Sequence, residues 1–120
     1  MKKSNMTDPN RLALIRYLRK LSQEKSGRIW AVLASELSKP NKRRITVNLS
    51  RLNRLTSPDE VVLVPGKVLA GGALEHKLEI AAESFSSAAR EKIRVNGGQC
   101  LSIIELVKRN PTGSSVRMVK

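Results

Sequence analysis

The segment Glu60 to Pro65, EVVLVP, constrains this chain more than any other. It is a continuous apolar run between a Pro58-Asp59 turn and Gly66. A run without polar alternation marks a buried strand, and such a strand needs structure on both of its faces. The rest of the chain supplies it in a loose strand-then-helix rhythm. Ile45, Val47 and Leu49 alternate with Thr46, Asn48 and Ser50, a strand pattern. Leu49, Leu52 and Leu55 then recur three apart, which predicts a helical turn starting near Ser50 with Arg51 and Arg54 on one face. Lys77 to Glu83 alternates again. Ser84 or Ser86 caps a helix through Val95, closed by Asn96-Gly97-Gly98. Gln99 to Leu101 reads as a short strand. Ser102 and Glu105 spell a capping box for a helix through Asn110, stopped by Pro111. After the turn NPTGSS, Val116 to Val119 makes a last strand. The expectation is an α/β fold of irregular β-β-α units with a small mixed sheet.

Two amphipathic helices precede this body. Thr7 or Asp8 caps the first, with Pro9 in its first turn, where a missing N–H costs nothing. Leu14, Tyr17, Leu18 and Leu21 form its apolar face, Arg16, Arg19 and Lys20 lie off it, and Ser26-Gly27 ends it. The second, Arg28 to Ser38, groups Ile29, Val32, Leu33 and Leu37 with Trp30 at the edge, and Pro40 stops it. Neither helix is stable alone in water, so a helical hairpin is expected. A chain of 120 residues is one domain. Within 1–120 we expect the hairpin at 9–38, a basic loop, strand and turn at 39–56, and the α/β body at 57–120.

Charge points to the partner. Lys plus Arg number 23 against 10 Asp plus Glu, a net +13, which calls for a polyanion. Residues 1–56 hold 14 basic and 3 acidic residues, and residues 57–120 hold 9 and 7. The run 39–54 carries Lys39, Lys42, Arg43, Arg44, Arg51 and Arg54 with no acid between them. Self-repulsion on that scale needs a counter-charge. Asn48 and Asn53, in the same run, can donate to phosphate or 2′-hydroxyl groups. Lys67, His76, Lys77 and Arg117 complete the RNA-binding set expected from charge and position. The aromatics are Tyr17, Trp30 and Phe85, all at positions that read as apolar and buried. They cannot supply the stacking platform used on single strands, so folded RNA, read by backbone and shape, is the expected target.

No constellation calls for catalysis. Gly66-Lys67 is not a phosphate-binding loop, because Val61 and Val68 stand where that motif needs glycine and Ser or Thr. Ala70-Gly71-Gly72 is not a dinucleotide fingerprint; it reads as a tight turn able to press against an RNA backbone. His76 has only Glu75 and Glu79 near it in sequence, and Cys100 is the one thiol. No metal site of usual spacing can be written, and no cofactor or small-molecule substrate is expected. Cys100 reads as a small buried hydrophobe. One cysteine leaves no internal disulfide, and cytoplasmic residence is expected. The N-terminus MKKSNMTDPN is basic with no apolar core behind it, so neither a signal peptide nor a membrane span is expected. Two rivals remain on these residues. One is a free-standing factor binding transfer RNA or DNA, which needs the same fold and lacks a polar recognition helix. The other is a small enzyme on nucleotides or RNA, which needs a carboxylate pair or metal cluster.

The segments VNLSRLNR at 47–54, VVLVPGKVLAGGALEHKLEIAAESFSSAAREKI at 61–93, NGG at 96–98 and NPTGSSVR at 110–117 carry a resemblance. In this order they resemble the archaeal and eukaryotic large-subunit ribosomal protein family L-eighteen-e, related to the bacterial large-subunit protein L-fifteen. The resemblance spans about residues 7–120, and the length and early first helix suit an archaeal member. Ala70 stands where the family's loop is expected to carry glycine. The resemblance implies an α/β fold, no enzymatic activity, and large-subunit ribosomal RNA and neighbouring ribosomal proteins as partners. It does not say which side chains touch RNA.

Overall fold

The apolar run at 60–65 opens a nine-residue strand in the computed structural model, which describes residues 9–25, 27–39 and 45–120. The chain order is α1 (Pro9–Lys25), α2 (Arg28–Leu37), β1 (Ile45–Asn48), α3 (Leu49–Leu55), β2 (Val61–Leu69), β3 (Glu79–Phe85), α4 (Ser87–Val95), β4 (Gln99–Leu101), α5 (Ile103–Arg109) and β5 (Val116–Met118). The expected Thr7 or Asp8 cap, Ser26, Pro40, Lys42, Arg43 and Arg44 lie outside the described residues. The described residues fall into two compact units: the hairpin with residues 110–114, and residues 45–109 with 115–120.

The α/β unit is built on β2. The strand continues through Pro65 and Gly66, past the expected stop. Its ladder with β3 pairs Val61–Val64 with Glu79–Ala82, then resumes at Lys67 opposite Ser84 after a bulge. Pro65 sits in that bulge, where its missing N–H costs no ladder bond. Gly66 pairs with Ile45 of β1, and a Cβ there would strike the Ile45 carbonyl.

One edge of β2 is taken by β3, and β4 follows beyond it. The other edge is shared: β5 pairs with Val61–Leu63 and β1 with Gly66–Leu69. The sheet is more regular than the expected mixed one, because every ladder is parallel. Pairing direction depends on how the chain returns between strands, which local alternation does not encode. Right-handed crossovers explain the layers. The forward steps β1 to β2 and β3 to β4 place α3 and α4 on one face. The backward step from β4 to β5 places α5 on the other. The first face buries Val62, Val64, Val68, Ile80 and Ala82 against Leu49, Leu52, Ala89 and Ile93. Leu63 and Ala81, of opposite parity, are also fully buried, on the side where α5 brings Leu106 and Val107. The step from β2 to β3 has no helix. Residues 70–78 run back beside α3 instead, and bury Leu74 and Leu78 in the first core.

The hairpin unit buries Ile15, Leu18 and Leu21 of α1 and Trp30, Leu33, Ala34 and Leu37 of α2. Leu18, Leu21, Leu33 and Leu37 are buried as expected, but part of each face is turned. Tyr17 and Val32 are each 42% exposed, and Arg11 is buried instead, its Nε donating to the Leu37 carbonyl at 2.8 Å. That bond satisfies a carbonyl that the end of α2 leaves without a helical donor. Trp30 is fully buried rather than at an edge, because its indole N–H donates to the Pro111 carbonyl at 2.6 Å. A buried tryptophan needs such an acceptor, and this one comes from 81 residues away.

Candidate nucleic-acid interface

Helix α3 and the return segment 70–76 lie side by side and are stitched together at successive positions. Asn48 Oδ1 accepts from the Gly71 N–H at 3.1 Å, and the Ser50 N–H donates to the Gly71 carbonyl at 2.9 Å. Asn53 makes two bonds to Glu75: its Nδ2 donates to the carboxylate at 3.0 Å and its Oδ1 accepts the backbone N–H at 2.9 Å. Thr56 Oγ1 lies 2.9 Å from His76 Nε2 and donates to the Leu52 carbonyl at 2.6 Å. Asn48, Asn53 and His76 are therefore brought together, but their polar atoms hold the loop on the helix. The stitching works only because glycines allow contact: a Cβ on Gly71 would strike Asn48, and one on Gly72 would strike Ser50.

The expected cations divide into two kinds. Lys39 pairs with Glu36 at 3.0 Å, Lys77 with Asp59 at 3.8 Å, and Arg117 with Glu60 at 2.9 Å. The Ser57 N–H, and after it the Arg117 guanidinium, hold the Glu60 carboxyl below its ordinary range. Arg51 differs, donating from Nε to the main-chain oxygen of Lys120 at 3.1 Å. Arg54 and Lys67 are exposed and make no hydrogen bond or ion pair with any described residue. Lys67 is a strand residue, aligned across the ladder with Thr46 and Ser84. Lys42, Arg43 and Arg44 are not among the described residues.

Two features were missed from sequence. Lys92, on α4, donates from Nζ to the Ala70 and Gly72 carbonyls, both at 2.9 Å. An exposed lysine on a helix carries no local mark of that role. Tyr17 is exposed rather than buried, and Phe85 is half-buried with the Arg90 guanidinium 5.0 Å from its ring centroid. Cys100 is half-buried against the core, and burial pushes its thiol up. The His76 ring is hydrogen-bonded to a hydroxyl, that of Thr56. No helix among the described residues is long and apolar enough to cross a membrane.

Comparison with known proteins shows the family. Residues 25–101 match the family model described as ribosomal proteins 50S-L15, 50S-L18e and 60S L-twenty-seven-A. The chain is 42% identical over 120 residues to the large ribosomal subunit protein eL18 of Methanothermobacter thermautotrophicus, covering 100% of this chain and 99% of that protein. It is 43% identical over 114 residues to the eL18 of Methanoregula boonei, covering 95% and 94%. It is 45% identical over 106 residues to that of Pyrobaculum aerophilum, covering 88% and 87%.

Proposed function

The chain belongs to the family of ribosomal proteins 50S-L15, 50S-L18e and 60S L-twenty-seven-A, and from that premise we propose that it is a structural constituent of the large ribosomal subunit, binding folded ribosomal RNA through exposed cations. Membership of a ribosomal protein family implies a structural, non-enzymatic role and a place on the ribosome, among ribosomal RNA and neighbouring ribosomal proteins.

The observation that carries the RNA reading is the pair Arg54 and Lys67, exposed cations to which no described carboxylate is bound. Arg51 joins them from the helix that carries Arg54, α3. Lys42, Arg43 and Arg44 join them from the acid-free run of the sequence. Lys39, Lys77 and Arg117 contribute less, since carboxylates already offset them. Asn48, Asn53 and His76 serve by holding the loop in shape.

Six phosphate contacts release counterions, so the log–log dependence of RNA affinity on salt should have a slope of roughly −4 to −5. Filter binding to purified large-subunit ribosomal RNA across a salt series tests this, and a flat curve counts against it. Sedimentation after a high-salt wash separates a subunit constituent, which stays with large subunits, from a free factor, which leaves.

A further inference from the structure

The glycine loop after β2 has a one-sided hydrogen-bond pattern. Its carbonyls are taken from within the protein. Gly71 accepts from the Ser50 N–H, and Ala70 and Gly72 both accept from Lys92 Nζ. Its first N–H, that of Gly71, goes to Asn48 Oδ1. The N–H groups of the next two residues, Gly72 and Ala73, have no partner among the described residues, and both residues are exposed. Gly72 adopts φ +77°, so the backbone changes hand at that residue. Changes of this kind turn successive N–H groups into a concavity that suits an anion. The inner side of the turn is closed by Asn48 and Ser50, which leave no room for a Cβ at Gly71 or Gly72. The outer side presents backbone and one methyl group.

We propose that Gly72 and Ala73 form a phosphate-binding site for the RNA backbone, and that Lys92 is the residue that positions it. The proposal rests on the ribosomal RNA reading above. Lys92 acts through the loop. It ties down two carbonyl oxygens whose partial negative charge would repel a phosphate, and it brings a positive charge within hydrogen-bond reach of the turn. Arg54, about 100° further round α3 than Asn53, adds a second cation on the solvent side. The one acid in the loop, Glu75, is held by the Asn53 amide.

The test uses the full chain labelled with ¹⁵N. On titration with inorganic phosphate at constant ionic strength, against chloride as control, the Gly72 and Ala73 amide resonances should move. In Lys92→Met the movement should shrink, and in Lys92→Arg it should persist. In filter binding to ribosomal RNA, Lys92→Met should weaken affinity about tenfold, the scale of one charge-assisted contact, with the salt slope unchanged. Lys92→Arg should stay within about twofold. A direct phosphate-contacting lysine would instead lower the slope by about one. Gly72 and Ala73 amides that stay still in the wild type, a measurement needing no variant, overturn the proposal. So does a Lys92→Met protein that melts normally and responds to phosphate like the wild type. Amide shifts without any binding of ribosomal RNA would overturn the reading beneath it, and with it the assignment of the phosphate to RNA.

Discussion

The two sides of the α/β unit handle charge differently. Along α3 and residues 70–76, Lys92 is bonded to neutral carbonyls and Arg54 to nothing described. At the N-terminal ends of β2 and β3, cations meet carboxylates: Arg117 with Glu60, Arg109 with Glu79, Lys77 with Asp59. In a chain of net +13, density of bases does not decide which surface a polyanion can use. The position of the few acids does. A compensated cation must give up its partner before a phosphate gains from it, whereas an uncompensated one releases counterions directly.

The largest expected effect tests whether the α3 side is as tightly closed as its bonds suggest. Gly72 and Gly97 both have positive φ, +77° and +81°. A Cβ at Gly97 meets only the Lys77 side chain, at 4.0 Å, whereas at Gly72 it strikes Ser50. Gly97→Ala should cost about 1 kcal/mol from backbone strain alone. Gly72→Ala carries that strain plus a collision, and should cost about 3 kcal/mol. Urea denaturation of both variants measures the gap, and equal losses would mean that the loop yields.

The next effect is on binding. Arg54→Ala with Lys67→Ala should lower the salt slope for ribosomal RNA by about two and weaken affinity at least about tenfold. Lys77→Ala with Arg117→Ala should change the slope by less than half as much, although the same charge is removed. If the second pair matters as much as the first, compensation by acids is the wrong criterion.

How much of this was legible follows the range of the interactions. The Ser86 cap and the Ser102–Glu105 box each close over three residues, and both are where their residue types put them. The short strands at Ile45, Gln99 and Val116 were visible for the same reason. The all-parallel sheet was not, because it is fixed by crossovers rather than by alternation within a strand. The faces of α1 and α2 were each only partly legible for a related reason. Tyr17 tolerates exposure, and Trp30 is drawn inward by an acceptor at Pro111. At the site, charge identified Arg51, Arg54 and Lys67 as cations. Nothing local could say that Asn48, Asn53 and His76 face partners 23, 22 and 20 residues away, or that Lys92 reaches back 22 to Ala70.

Asn53 gives a smaller effect of known sign. Asn53→Ala removes both bonds to Glu75 in a half-buried setting and should cost about 1 kcal/mol. An amide does not titrate, so that loss should be the same at every pH. The acid-bearing side should behave otherwise. Ser102 holds the Glu105 carboxyl below its ordinary range through its backbone N–H, at 2.8 Å, and then through its hydroxyl. Glu60 is held down in the same direction by Ser57 and then Arg117. The unfolded chain takes up these protons first as pH falls. Their contribution is therefore complete above the unfolded carboxylate range, about pH 4.3, and is lost as pH drops through the lower folded values. Both groups are at the surface, so this is the smallest of the effects. Glu105→Gln keeps an oxygen to accept the Ser102 N–H and so preserves the cap. Combined with Glu60→Gln, it should flatten the fall in urea midpoint between about pH 5 and 3. A double variant whose midpoint falls as steeply as the wild type would show that these carboxylates are not what ties this side of the molecule to pH.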